Sequence, residues 1–236
     1  MKAVIMAGGR GVRLRPLTDV TPKPMVPLID KPVLEYTLGL LKKNGITDVA
    51  VTLGYMPEKV TEYFGSGERF GMNLTYFYEK EPLGTAGGVK NAEGFFDGTF
   101  LVLSGDAYTE VDLKRAISFH VSKRSPFTIV AQPHPWPVGL GTLEIDFENR
   151  ISSFIEKPEI VRPALVNTGI YVVEKKILKM IPSGFYDFGR DLLPRLVGRC
   201  YACVDYSYWS DIGTLSSYYE TNKYLAKNYV ERNCPS

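Results

Sequence analysis

Apolar residues fall along this chain in two textures. Up to about residue 121, short apolar runs take turns with segments whose apolar positions recur every three or four residues. The runs at 3–6, 48–53, 74–78 and 100–103 predict buried strands. Segments 32–41 (stopped by Asn44-Gly45), 57–64, 85–93 and 112–121 predict helices. Strand and helix alternating at this period imply right-handed βαβ units and a mainly parallel sheet covered on both faces.

Beyond that point the pattern becomes β-rich. Segments 127–132, 141–146, 151–155 and 166–173 predict strands joined by short turns, and His134-Pro135-Trp136-Pro137 is a stiff, irregular connection. A helix is expected over 187–196, a strand over 201–206 and a closing helix over 214–229. No linker composition and no internal repeat divides the chain. The expectation is a single α/β domain over 1–236, Rossmann-like and doubly wound, with an inserted β-rich subregion. Residues 1–125 would form a nucleotide-binding half and 126–236 a sugar-phosphate-binding half with the closing helix.

Composition narrows the class. At 236 residues with 44% hydrophobic and 23% charged content, the chain can bury a full core. A net charge of +2 gives no global reason to expect nucleic acid as a partner. The start of the chain runs straight into a strand, and no apolar run approaches the ~18 residues of a membrane span. A cytoplasmic protein without a membrane partner is expected. Three cysteines cannot all pair, which suits a reducing compartment. Cys200-Tyr201-Ala202-Cys203 is formally a C-x-x-C, but in extended chain its thiols point to opposite faces, so packing is the expected role.

Chemistry concentrates where the first strand ends. Ala7-Gly8-Gly9-Arg10-Gly11 has almost no side-chain bulk, so backbone amides can approach a ligand closely. Val12 follows, and Arg13, Arg15 and Lys23 then bring fixed positive charge without an acidic side chain among the glycines. That combination suits a polyanion such as a triphosphate. It is not a P-loop, which needs G-x-x-x-x-G-K-[ST], nor a dinucleotide fingerprint, since Leu14 stands where the third glycine belongs. Ligands of doubly wound sheets sit beyond the carboxyl ends of the strands. The fourth strand ends there in Ser104-Gly105-Asp106, and a carboxylate beside a triphosphate is where Mg²⁺ belongs. Asp211, in Trp209-Ser210-Asp211-Ile212-Gly213-Thr214, is a second candidate, or a plain helix cap.

The string Gly8-Gly9-Arg10-Gly11-Val12-Arg13-Leu14-Arg15-Pro16-Leu17-Thr18, followed by Pro22-Lys23-Pro24, resembles the signature of the sugar nucleotidyltransferases, the nucleoside-diphosphate-sugar pyrophosphorylases. Val12 replaces the usual threonine, which removes a hydroxyl but not the backbone amide. Loops of cytidylyl- and molybdopterin-guanylyltransferases lack the P-L-T and P-K-P continuation. The resemblance extends to about residue 215 and implies a GT-A-like nucleotidyltransferase fold. It makes Asp106 and Asp211 the metal positions, with Arg13, Lys23 and Asp106 catalytic: Arg13 on the departing pyrophosphate, Lys23 toward the α-phosphate.

A second glycine-rich turn, Glu79-Lys80-Glu81-Pro82-Leu83-Gly84-Thr85-Ala86-Gly87-Gly88, is suited to seating a base and ribose. Its E-P-L-G-T-A-G resembles mannose-1-phosphate guanylyltransferases in particular, and a carboxylate can accept from the N1–H and N2–H₂ edge of guanine. Glu79 and Glu81 both remain candidates for that contact. With Ala7, Gly8, Gly9, Gly11, Val12, Arg13, Pro82, Gly84, Thr85 and Gly105 they make up the expected nucleotide site. Glu156-Lys157-Pro158 matches the family's E-K-P, glutamate for sugar hydroxyls and lysine for the sugar's phosphate, and Asn167 matches an asparagine facing sugar hydroxyls. Gly141 follows Leu140, which replaces an aromatic residue, and Tyr186-Asp187-Phe188 is a candidate for the far rim.

The reaction implied is transfer of a nucleotidyl group from an NTP, GTP by the resemblance, to a sugar 1-phosphate, mannose 1-phosphate by the same resemblance, with release of pyrophosphate and with Mg²⁺ as cofactor. Thymidylyl or uridylyl transfer to glucose 1-phosphate, guanylyl transfer to a heptose 1-phosphate, and a catalytically silent nucleotide-sugar-binding subunit stay open as alternatives. Such relatives commonly form homodimers or higher oligomers, and many continue into a further domain.

Overall fold

The structure, a computed structural model, describes residues 1–233, so Cys234 lies outside the described residues. In its first half the chain forms β1 (Lys2–Met6), β2 (Pro27–Leu28), β3 (Lys31–Pro32), α1 (Val33–Lys43), β4 (Asp48–Leu53) and α2 (Pro57–Phe64). These are followed by β5 (Asn73–Tyr78), α3 (Gly84–Asn91), β6 (Phe100–Ser104), β7 (Ala107–Thr109) and α4 (Leu113–Lys123). Its second half holds β8 (Phe127–His134), β9 (Thr142–Ile145), β10 (Ile151–Ile155), β11 (Ala164–Val173), α5 (Leu193–Leu196), β12 (Tyr201–Val204), β13 (Trp209–Asp211) and α6 (Leu215–Asn233).

Among the described residues nine strands join in one sheet, β10-β9-β11-β6-β1-β4-β5, with β8 pairing β11 and β12. The block β6-β1-β4-β5 is parallel, with Ile5 opposite Leu103 on one side and Val51 on the other. β1 is apolar throughout because both faces are covered, as a buried parallel strand requires. Val4 packs toward Ala86, Val89 and Phe96, while Ala3 and Ile5 pack toward Leu34, Leu38 and Leu41 of α1. The β-rich half is grafted on antiparallel. Tyr171–Val173 of β11 pair with β6, while Leu165 and Val166 pair with β9. One strand thus spans the parallel block and the inserted region.

The expected elements are present, with local differences. Segment 187–196 is not one helix: a π-helical turn over Phe188–Leu192 precedes the short α5. Pro194 has no amide to offer the Arg190 carbonyl, so an unbroken α ladder cannot run through it. Segment 201–206 shortens to β12, ending before Asp205, whose buried carboxylate accepts from Arg115 and the Ser207 amide. Two small ribbons were not legible in the pattern: β2 with β3, and β13 with β7.

Cys200 and Cys203 are buried free thiols in cores on opposite faces of the sheet. Burial pushes the Cys200 thiol up to about 12 and the Cys203 thiol upward, so both are poor nucleophiles. No helix among the described residues is long and apolar enough to cross a membrane.

His120 is buried on α4, with Nδ1 2.9 Å from Thr128 Oγ1. Burial holds its pKa below the usual 6.5, and its charged neighbours Glu174 and Lys176 act in opposite directions. The unfolded chain therefore takes up a proton that the folded state refuses, so stability is intact above about pH 6.5 and falls below it. Burial lowers His134 too, with the same sign. Melting temperature should decline from about pH 7 to about pH 5.5, and His120→Gln should flatten that decline; an unchanged slope would remove His120 as its source.

Candidate active site

The glycine loop is pinned at both ends and open in the middle. The Ala7 amide donates to the Thr52 carbonyl of β4 at 3.0 Å, and the Gly105 amide donates to the Met6 carbonyl at 2.9 Å. These bonds seat the loop between the ends of β4 and β6. Thr18 Oγ1 donates to the Gly11 carbonyl at 2.8 Å, closing the far end, where Gly11 has the left-handed φ of 61°. Between these anchors the amides of Gly8, Gly9 and Arg10 have no acceptor among the described residues. A Cβ on Gly9 would meet open space. Free amides around a bulk-free turn make an anion cradle. Val12, 57% exposed, points outward.

Beside the cradle the acidic candidates meet. β13 pairs antiparallel with β7 and sets Asp211 opposite Ala107, next to Asp106. The Lys23 ammonium lies between them, 2.7 Å from Asp106 Oδ2 and 3.0 Å from Asp211 Oδ1. Its side chain is only 8% exposed, against 33% and 27% for the two aspartates. Burial opposes the charge on Lys23, but Asp106 and Asp211 outweigh it and hold its pKa above the usual lysine range. Burial likewise opposes the charge on Asp106, and Lys23 with the Ser104 hydroxyl holds that carboxyl below the usual carboxylate range. Arg13, more exposed, stands 3.9 Å from Asp211 Oδ2, whereas Arg15 is turned away and paired with Asp19. Two carboxylates converging on one cation are the hard oxygen donors that suit Mg²⁺ together with substrate phosphates, so the residues fit that ion.

The second glycine-rich turn is filled largely by protein. A Cβ on Gly84 would lie 2.6 Å from the Tyr186 carbonyl oxygen, and one on Gly87 2.5 Å from that of Gly184. Their missing side chains admit segment 184–186 of the other half. The contact is locked by the Gly87 amide on the Tyr186 carbonyl, by the Tyr186 amide on the Leu83 carbonyl, and by Thr85 Oγ1, which donates to Asp187 and accepts from the Phe188 amide. Glu79 wedges its carboxylate between Gly8 and Gly88, accepts from the Leu83 amide at 3.1 Å, and is pushed up in pKa by burial. Glu81 is exposed at the rim.

A cleft of about 590 Å³ opens beside the glycine loop, the second glycine-rich turn and Asp106. Gly8, Gly9, Arg10, Glu79, Glu81, Pro82, Gly84, Thr85, Ser104, Asp106, Glu156 and Lys157 all line it. Of the expected residues, Ala7, Gly11 and Gly105 shape the loop from behind: a Cβ on Gly105 would lie 2.9 Å from the Met6 carbonyl oxygen. Val12, Arg13, Lys23, Asp211, Gly141 and Asn167 are not among the lining residues. The hydrogen of Gly141 leaves room for the Glu156 carboxylate and the Phe154 ring. Asn167 is engaged internally, donating to Tyr171 OH at 2.8 Å and accepting from the Gly169 amide. The lining also includes Thr52, Tyr55, Phe185 and Arg190, which sequence reasoning passed over. Each sits in a stretch without a motif. A larger groove of about 980 Å³ between α1 and residues 108–114 shares none of this chemistry.

The model of the nucleotidyl transferase family matches residues 2–228. The chain belongs to that family. It is 39% identical over 93% of its length to a UTP–glucose-1-phosphate uridylyltransferase of Synechocystis sp., and 37% identical over 90% to a mannose-1-phosphate guanylyltransferase of Mycobacterium tuberculosis. It spans 62% and 61% of those two relatives. Its fold superposes on the crystal structure of HddC from Yersinia pseudotuberculosis with a TM-score of 0.84 at 30% identity, covering 95% of this chain and 99% of that one. HddC is also known complexed with GMP-PN.

The contact that joins the turn at Gly84 to segment 184–186 is testable. Gly84→Ala puts a Cβ against the Tyr186 carbonyl at a φ of 71°, and should destabilise the chain by about 2 kcal/mol or more. Chemical denaturation measures it; a change below about 0.5 kcal/mol would mean that the turn relaxes without loss.

Proposed function

We propose that this chain transfers a nucleotidyl group from a nucleoside triphosphate to a sugar 1-phosphate, with GTP and mannose 1-phosphate as the pair and pyrophosphate as the second product. The observation that carries the reading is one cleft lined together by the glycine loop with its free amides, by Asp106 and by Glu156 and Lys157. The guanylyl assignment draws on the E-P-L-G-T-A-G string, on the name of the mycobacterial relative and on the HddC complex with GMP-PN. The name of the Synechocystis relative favours uridylyl transfer to glucose 1-phosphate as the second reading.

The chemistry needs little from the protein beyond position and charge. A phosphate oxygen of the sugar 1-phosphate attacks the α-phosphorus in line, and the bond to pyrophosphate breaks. The nucleophile is mostly ionised at neutral pH, its second pKa being about 6, so no general base is required. His120 is buried away from the cleft, which agrees with that economy. Loop amides hold the triphosphate, Arg13 offsets charge on the departing pyrophosphate, Lys23 reaches toward the α-phosphate, and Lys157 holds the incoming phosphate. Asp106 and Asp211 would hold Mg²⁺, which when bound supplies charge neutralisation at the phosphates. Glu156, positioned by Gly141 and Gly189, faces the sugar hydroxyls.

Pyrophosphate release should be fastest with GTP and mannose 1-phosphate in a panel that includes UTP, dTTP, glucose 1-phosphate and a heptose 1-phosphate. Preference for UTP with glucose 1-phosphate would establish the second reading. Silence with every pair, alongside nucleotide-sugar binding, would make the chain a regulatory subunit. Asp106→Ala should lower kcat by about 100-fold or more, and a wild-type rate would remove Asp106 from the mechanism. Of Glu79→Gln and Glu81→Gln, the variant that erodes discrimination between GTP and UTP identifies the base reader.

A further inference from the structure

The Lys23 side chain is placed to do more than contact a phosphate. Its stem runs beneath the glycine loop: a Cβ on Gly11 would lie 3.1 Å from Lys23 Cβ and 3.5 Å from its Cδ. Pro22 and Pro24 flank it on a tight turn and leave its backbone little freedom. From there the ammonium bonds both carboxylates of the cation site at once. With Arg13 also facing Asp211, two negative groups meet two positive ones, and the local charge sums to zero. A neutral, already paired site offers little to a dication. Seating a metal there would strand a buried ammonium, which is costly.

A triphosphate changes that balance. Its oxygens in the loop bring several negative charges beside Gly11, where the flexible lysine stem passes, and give the ammonium an alternative partner. The two carboxylates then regain their charge toward a cation. We propose that Lys23 is a resident counter-cation that keeps Asp106 and Asp211 closed to divalent metal until a nucleoside triphosphate enters, so that metal and nucleotide are bound as one unit. This rests on the reading of Asp106 and Asp211 as the cation ligands.

Mn²⁺ titrated into the nucleotide-free protein, followed by electron paramagnetic resonance, tests it without turnover. Wild type should bind Mn²⁺ weakly. Lys23→Met, which keeps the apolar stem and removes the charge, should bind it about tenfold tighter or more, and Lys23→Arg should stay weak. Equal affinities in wild type and Lys23→Met would overturn the proposal. Should Lys23→Met fail to fold, the ¹⁵N resonance of the Lys23 ammonium in wild type answers the same question. It should shift with a non-hydrolysable GTP analogue in chelator and stay unmoved by Mg²⁺ alone; a shift with Mg²⁺ alone would overturn the proposal. The parent reading fails separately. If Asp106→Asn and Asp211→Asn leave Mn²⁺ binding unchanged in the presence of the analogue, the carboxylates are not the ligands. If they weaken it while Lys23→Met gains nothing, the carboxylates stand and the gating role falls.

Discussion

The position of β1 between β4 and β6 is the constraint on which the site rests. Its register with both neighbours fixes where its carboxyl end falls relative to theirs, level with Thr52 and Ser104. The Ala7 amide must then bond the Thr52 carbonyl, and the Gly105 amide the Met6 carbonyl, because both lie in a buried layer where an unpaired amide is expensive. The loop is left with unpartnered amides only where it leaves that layer. A one-residue slip of β1 would exchange Val4 with Ala3 and Ile5 between the two cores and carry the loop off its anchors.

A second constraint is electrostatic. Lys23, Asp106 and Asp211 come from three distant parts of the chain, and none could be buried so far alone. Each is tolerated because the others satisfy it. That mutual dependence ties the turn before β2, the end of β6 and strand β13 to one point. α6 reinforces it from outside: Tyr218 donates to the Pro27 carbonyl, Asn222 accepts from the Ile29 amide, and Tyr224 reaches Glu110 beyond β7. The closing helix thereby braces both flanks of the charged cluster.

The two halves of the chain meet through backbone as much as through side chains. β11 carries the sheet across, and the turn at Gly84 receives segment 184–186 so closely that no Cβ would fit. Thr85 and Asp187 fasten the same seam. The cleft is consequently a space between rigid elements, lined by the start of α3 and by Glu156 and Lys157 among others.

The alternation of apolar runs with helical spacing was enough to establish the α/β class and the parallel block, because a strand covered on both faces must be apolar along its whole length. The glycine loop and the Asp106 strand end were legible for a local reason: close backbone approach and a carboxylate at a strand terminus are written in consecutive residues. Glu79, by contrast, proved to wedge two glycine turns, and Gly84 and Gly87 proved to admit a neighbouring segment, although their sequence pattern equally suited an open base pocket. Asn167 pairs with Tyr171 and Gly169, and Thr52, Tyr55, Phe185 and Arg190 reach the cleft without any motif. Local sequence determines which backbone can bend and which side chains can carry charge. Only the folded sheet decides which glycine's space is filled, and which lysine stands between two aspartates more than eighty residues away, since those are facts of long-range packing that no neighbouring residue encodes.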